Sequence, residues 1–159
     1  MPEHSCGEML WPMSDECYLY GAILGAFGTV RDWHSLYERN ADTIASLPDE
    51  DSEPPLTRGM FCRPARPGDA GLYRYQVIHF GASFNGFADD WHHWLEKFEG
   101  LLKKLYWFSV HLHLHAGVQG GEHDYRWEVK RDQLDRMRRP EPVPPGLWEF
   151  SGGPRRFGV

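Results

Sequence analysis

The hydrophobic period of this chain changes from 3.6 to 2 near residue 106, and that switch restricts it to folds in which a helix feeds directly into a strand. Over residues 88–105, Trp91, Trp94, Leu95, Phe98, Leu101, Leu102 and Leu105 recur at the i, i+3, i+4, i+7 spacing of one helical face. Over residues 106–115 the pattern becomes strict alternation. Phe108, Val110, Leu112 and Leu114 fall on one side, and Trp107, Ser109, His111, His113 and His115 on the other. A one-faced helix followed by a half-buried strand predicts a helix laid on one side of a sheet. Three histidines then share the sheet's other side.

A return strand follows. If the chain turns back through residues 117–122 (GVQGGE), the simplest register puts Tyr125, Trp127 and Val129 on the core face. Asp124, Arg126 and Glu128 then join the histidines. The glycine-rich segment reads as a hairpin tip, because no helix N-terminus follows it to cradle a phosphate.

Earlier in the chain, residues 18–27 (YLYGAILGAF) fit either a buried strand or the start of a helix. The strand is favoured, since Gly21, Gly25 and Gly28 would each weaken a helix by up to about 1 kcal/mol. Thr29 and Asp32 form a capping pair for a helix carrying Val30, Trp33, Leu36, Tyr37, Ile44 and Leu47, with a polar middle that predicts a kink. Residues 48–55 (PDEDSEPP) hold four acids and three prolines, which excludes a helix interior or central strand and predicts a loop. Residues 57–63 and 72–84 have strand character around a Pro-Gly-Asp turn.

The order strand, helix, strand, strand, helix, strand is that of two split β-α-β units, with an added strand at 124–129. The expected fold class is therefore α+β: an antiparallel sheet with two main helices on one face, in a ferredoxin-like arrangement. A weak internal repeat agrees, since Asp32-Trp33-His34 parallels Asp90-Trp91-His92, with Glu38 and Glu96, then Leu47 and Leu105, at matching distances. The length of 159 residues predicts a single domain, with an irregular start over 1–14 and an extended tail over 140–159. That tail contains five prolines and four glycines, and its Leu147, Trp148 and Phe150 are expected to pack back onto the domain.

Charge narrows the function classes. Residues 1–53 carry eleven acids against Arg31 and Arg39, a net −9, which leaves +3 on the remainder and −6 in total. An acidic half opposes a phosphate-binding platform, and the basic residues of 126–139 are interleaved with Glu128, Asp132 and Asp135, so nucleic acid is not the expected partner. Cys6, Cys17 and Cys62 are odd in number and far apart, with no metal-ligand spacing, which predicts reduced thiols of a cytoplasmic protein. The N-terminal residues lack a signal-peptide pattern, and no membrane span is expected.

No GxSxG, HExxH, Walker or dinucleotide motif occurs. The sequence therefore favours a non-catalytic protein-binding domain without a cofactor. Its expected contact residues are Asp49, Glu50, Asp51 and Glu53 of the acidic loop, together with Trp107, His111, His113 and His115. A basic toxin neutralised in the manner of an immunity protein is the partner such a surface suits. The alternative is a Zn or Fe centre, or a metal-dependent enzyme, built from His111, His113, His115, Asp124 and Glu128. His79 is a further candidate for the cluster. A homodimer joined through Trp107 and the histidines is a third expectation.

Overall fold

The computed structural model describes residues 16–27, 33–62, 75–139 and 141–158. Within them, five strands form one antiparallel sheet: β1 (Glu16–Phe27), β2 (Tyr75–Asn85), β3 (Ser109–His115), β4 (Glu122–Val129) and β5 (Trp148–Gly152). Their spatial order is β2-β1-β3-β4-β5. Helix α1 (Trp33–Ala45) follows β1, and α2 (Trp91–Leu102) follows β2. One helical turn, α3 (Gly117–Gly120), closes the hairpin between β3 and β4, with Gly117 and Gly121 at φ of 81° and 72°, where only glycine is unstrained.

Both helices lie on the same side of the sheet. All seven apolar residues at the helical spacing of 88–105 are buried. Trp91, Trp94 and Phe98 stack in sequence, with centroids 5.3 and 4.9 Å apart. Phe98 then reaches Phe80 of β2 at 5.1 Å and Trp127 of β4 at 5.5 Å, so one helix spans the sheet. Aromatic surfaces of this size dominate a core's burial energy.

Residues 18–27 belong to a strand, and its glycines have a packing reason. A Cβ at Gly21 would lie 2.2 Å from the carbonyl oxygen of His111 and 2.6 Å from the Phe80 ring. A Cβ at Gly25 would lie 2.2 Å from the Tyr106 carbonyl oxygen. Neighbouring backbone occupies the space that a side chain would need.

The strand order agrees with the expected split β-α-β arrangement, since β1 lies between β2 and β3, the two strands that α2 joins. The strand expected over 57–63 is reduced to a 3-10 turn at Arg58–Met60 and a single bridge between Phe61 and Phe80. Every neighbouring pair of strands is antiparallel, as a split β-α-β unit requires, because its two parallel strands are held apart by a third between them. Helix α1 also runs without a break through its polar middle. The tail does more than pack back, because Trp148–Gly152 pairs with β4 as an edge strand. The capping pair Thr29 and Asp32, the turn at 65–71 and residues 1–14 lie outside the described residues.

A buried polar clamp fastens the polar middle of α1 to the sheet. The Asn40 amide nitrogen donates to Gln76 Oε1 at 2.9 Å and to the Tyr106 carbonyl at 2.8 Å, while the Tyr106 N–H donates to Asn40 Oδ1 at 2.8 Å. The Gln76 amide in turn donates to the Tyr37 carbonyl. One asparagine thereby joins α1, β2 and the segment entering β3. Burial also pushes the Tyr106 phenol up to about 12, so it stays neutral.

Replacing Asn40 with Ala would strand the Tyr106 N–H and carbonyl and the Gln76 amide in a dry interior. The expected cost is about 3 kcal/mol or more, read as a lower urea midpoint with an unchanged slope. A loss below about 0.5 kcal/mol would show that water satisfies those groups.

Candidate functional site

Strand alternation sends half of each strand's side chains away from the helices. Register then aligns them in rows across the open face. Tyr18 of β1, His115 of β3 and Glu122 of β4 form one row. Tyr20, His113 and Asp124 form the next. A third row contains His79, Ala22, His111, Arg126 and Ser151, and a fourth contains Val77, Leu24, Ser109, Glu128 and Glu149.

The first two rows repeat one arrangement. The Tyr18 and His115 rings stack with centroids 4.8 Å apart at 12°, and those of Tyr20 and His113 at 5.0 Å and 29°. In each row the imidazole Nδ1 faces a carboxylate. His113 Nδ1 is 2.8 Å from Asp124 Oδ1, a hydrogen bond in which the ring donates because a carboxylate only accepts. In a neutral ring this tautomer leaves Nε2 as an acceptor. His115 Nδ1 stands 3.6 Å from Glu122 Oε1, too far for a hydrogen bond, and has no other hydrogen-bond partner among the described residues.

The third row differs, and a depression results. Ala22 stands where Tyr18 and Tyr20 stand in the first two rows, so the face sinks into a cavity of about 620 Å³. Its walls include Tyr20, His79, His111, His113, Asp124 and Arg126. His79 thus joins the cluster. His111 Nε2 is 3.0 Å from Ser109 Oγ, and Arg126 lies 3.8 Å from Glu128.

The return-strand register is the expected one, with Tyr125, Trp127 and Val129 buried and Asp124, Arg126 and Glu128 beside the histidines. The metal centre is not assembled. Among the described residues no three His, Cys, Asp or Glu side chains are grouped to hold an ion. His111, His113 and His115 follow the rows, about 6.5–7 Å apart along the strand, and turn toward Ser109, Asp124 and Glu122 respectively. Glu128 sits a row beyond His111, opposite Ser109.

Trp107 is also displaced from its expected role. It precedes β3, is 1% exposed, donates its indole N–H to the Leu102 carbonyl and packs on Trp148. A ring buried in this way cannot anchor a partner or a second copy. The acidic loop is a loop, but it belongs to the helical layer. Asp49 is ion-paired with Arg58, and Asp51 with Lys97 of α2 at 2.8 Å. Lys97 also donates to the carbonyls of Ser52 and Pro54, while Trp94 donates to that of Pro55. Glu50 and Glu53 are exposed there. The two halves of the expected contact set therefore lie on opposite sides of the sheet and form no single surface.

Tyr18, Tyr20, Ala22 and Ser151 complete the open face, yet nothing in the local sequence singles them out. The one available signal is alternation: once 18–27 is a strand, Tyr18, Tyr20 and Ala22 must share a face. Their row partners depend on pairing between distant strands. Cys17 is buried and Cys62 exposed, and no helix among the described residues is long and apolar enough to cross a membrane. Compared with known proteins, the chain matches no family model, no curated protein and no solved structure.

The hydrogen bond from Lys97, followed by that from the Leu56 N–H, holds the Asp51 carboxyl below its ordinary range. A depressed folded-state value means that its stabilisation is complete at neutral pH and disappears as the pH falls below about 4. Lys97→Met should lower stability at pH 7 by about 2 kcal/mol, with the difference from the native protein shrinking toward pH 3. Urea titrations at both pH values measure this. A difference that stays constant would remove the ion pair from the explanation.

Proposed function

We propose that the chain is a non-catalytic binding domain that receives a basic protein partner on the open face of its sheet, as an immunity or inhibitor protein does. The observation that carries this reading is the charge left on that face. Glu122, Asp124, Glu128 and Glu149 lie on it, against the single described cation Arg126. On the helical side, by contrast, Asp49, Asp51 and Glu99 each have a cation of their own, namely Arg58, Lys97 and Arg155.

Exposed aromatic rings support the same reading. Tyr20 is 55% exposed and Tyr18 is 37% exposed, on a face not covered by either helix. Tyrosine supplies large contact area at low entropic cost and is enriched among residues that dominate binding energy. Acidic groups around it would speed encounter with a basic partner and set its orientation.

The test uses immobilised protein and lysate of the native host. The native chain and Glu50→Gln/Glu53→Gln should both retain one basic protein. Tyr18→Ser/Tyr20→Ser should lose it, with a deficit of about 2 kcal/mol or more once the partner is purified. Retention of nothing basic by the native chain, or equal retention by the tyrosine variant, would overturn the proposal.

A further inference from the structure

We infer that the partner is gripped through an extended segment carrying basic side chains at alternate positions, one seated on each of the rows Tyr18–His115–Glu122 and Tyr20–His113–Asp124. This rests on the binding reading above and adds the chemistry and spacing of what is bound.

Each row presents three groups, and all three favour a cation. The face of a tyrosine ring is the negative part of its quadrupole and attracts a guanidinium or ammonium group. A neutral imidazole that donates its Nδ1–H to a carboxylate keeps a lone pair on Nε2, the arrangement that the contact between His113 and Asp124 allows. The carboxylates supply full negative charge, and the Asp124 side chain is 87% exposed. Among the described residues, the ion-pair partners of Glu122 and Asp124 are the two imidazoles alone. Elsewhere on the described surface, acids paired with lysine or arginine are already neutralised within the molecule.

Spacing sets the form of the ligand. The two rows are two residues apart on β1, β3 and β4 alike. Alternate side chains of an extended peptide are separated by the same distance, about 6.5–7 Å. A segment lying along the strands therefore drops alternate side chains onto the two rows, while adjacent basic residues would point to opposite sides. The third row stops the pattern, because Arg126 replaces the carboxylate and Ala22 replaces the tyrosine. A third cation in line would meet like charge, so the face counts two.

The probe is a fluorescein-labelled peptide of alternating arginine and serine, followed by fluorescence anisotropy at low ionic strength. Its comparators are the same composition with the arginines in one block, and the alternating peptide with citrulline for arginine. The native chain should bind the alternating peptide about tenfold more tightly than either comparator. Glu122→Gln/Asp124→Asn should erase that preference, and Glu50→Gln/Glu53→Gln, which removes equal charge from the opposite layer, should preserve it. Equal weakening by the two double variants would reduce the effect to net charge and overturn the inference, as would equal affinity for the citrulline peptide. If no peptide binds while Tyr18→Ser/Tyr20→Ser still loses the host protein, the cation grip is wrong and the binding face stands. If the native chain retains neither peptide nor host protein, both readings fall together.

Discussion

The stacked aromatic column on α2 is the contact on which the remaining architecture depends. Trp91, Trp94 and Phe98 meet Tyr125 and Trp127 of β4 and Phe80 of β2, so a single helix face reads across four adjacent strands. Because strand side chains alternate, committing Phe80, Leu112 and Trp127 to that column commits His79, His111 and Arg126 to the other face. A slip of one residue in any pairing would bury a charge or an imidazole and expose a large ring. The open face is thus a consequence of how tightly the opposite face is determined.

Two smaller constraints bring the remaining elements into place. Gly21 and Gly25 let the backbone of β3 and its entry segment press against β1, and a methyl group at either site would collide with main chain. Asn40 then fastens α1 to the segment entering β3, exchanging two hydrogen bonds with the Tyr106 backbone. At the sheet's far edge, Glu99 accepts both from Trp127 and, bidentately, from Arg155, whose guanidinium lies over Phe150. That contact ties the tail to α2 and helps explain how a segment rich in proline and glycine becomes a fifth strand.

Three of the four acids paired with lysine or arginine among the described residues, Asp49, Asp51 and Glu99, lie on the helical side. The sequence places eleven of its 23 acids before residue 54, against only two basic residues, but Asp49 and Asp51 are consumed in fastening a loop to the helices. On the open face, the acids facing imidazoles are Glu122 and Asp124, in the half of the chain whose net charge is positive. Local neutralisation, which depends on which side chains come within about 4 Å, decides where a field remains to act on a partner.

The core face of α2, the alternation of 109–115, the strand nature of 18–27 and the loop at 48–55 were all legible in the sequence by itself. Each depends on periodicity or on the backbone limits of glycine and proline, which act within a few residues. The pairing register of β3 with β4 was legible too, because a short hairpin leaves little choice. What only the tertiary structure decided was the register of β1 against β2 and β3 and, with it, how the rows cross the open face. Tyr20 meets His113, and Ala22 opens a cavity beside His79, through pairings that join β1 to strands more than fifty residues away. Trp107 shows the same limit from the other direction: its position in the alternating pattern assigned it to the surface, but β3 begins two residues later, and the turn before it folds the ring under Trp148. Local pattern dictates which way a side chain points within an element, whereas the company it keeps is set by where distant backbones hydrogen-bond.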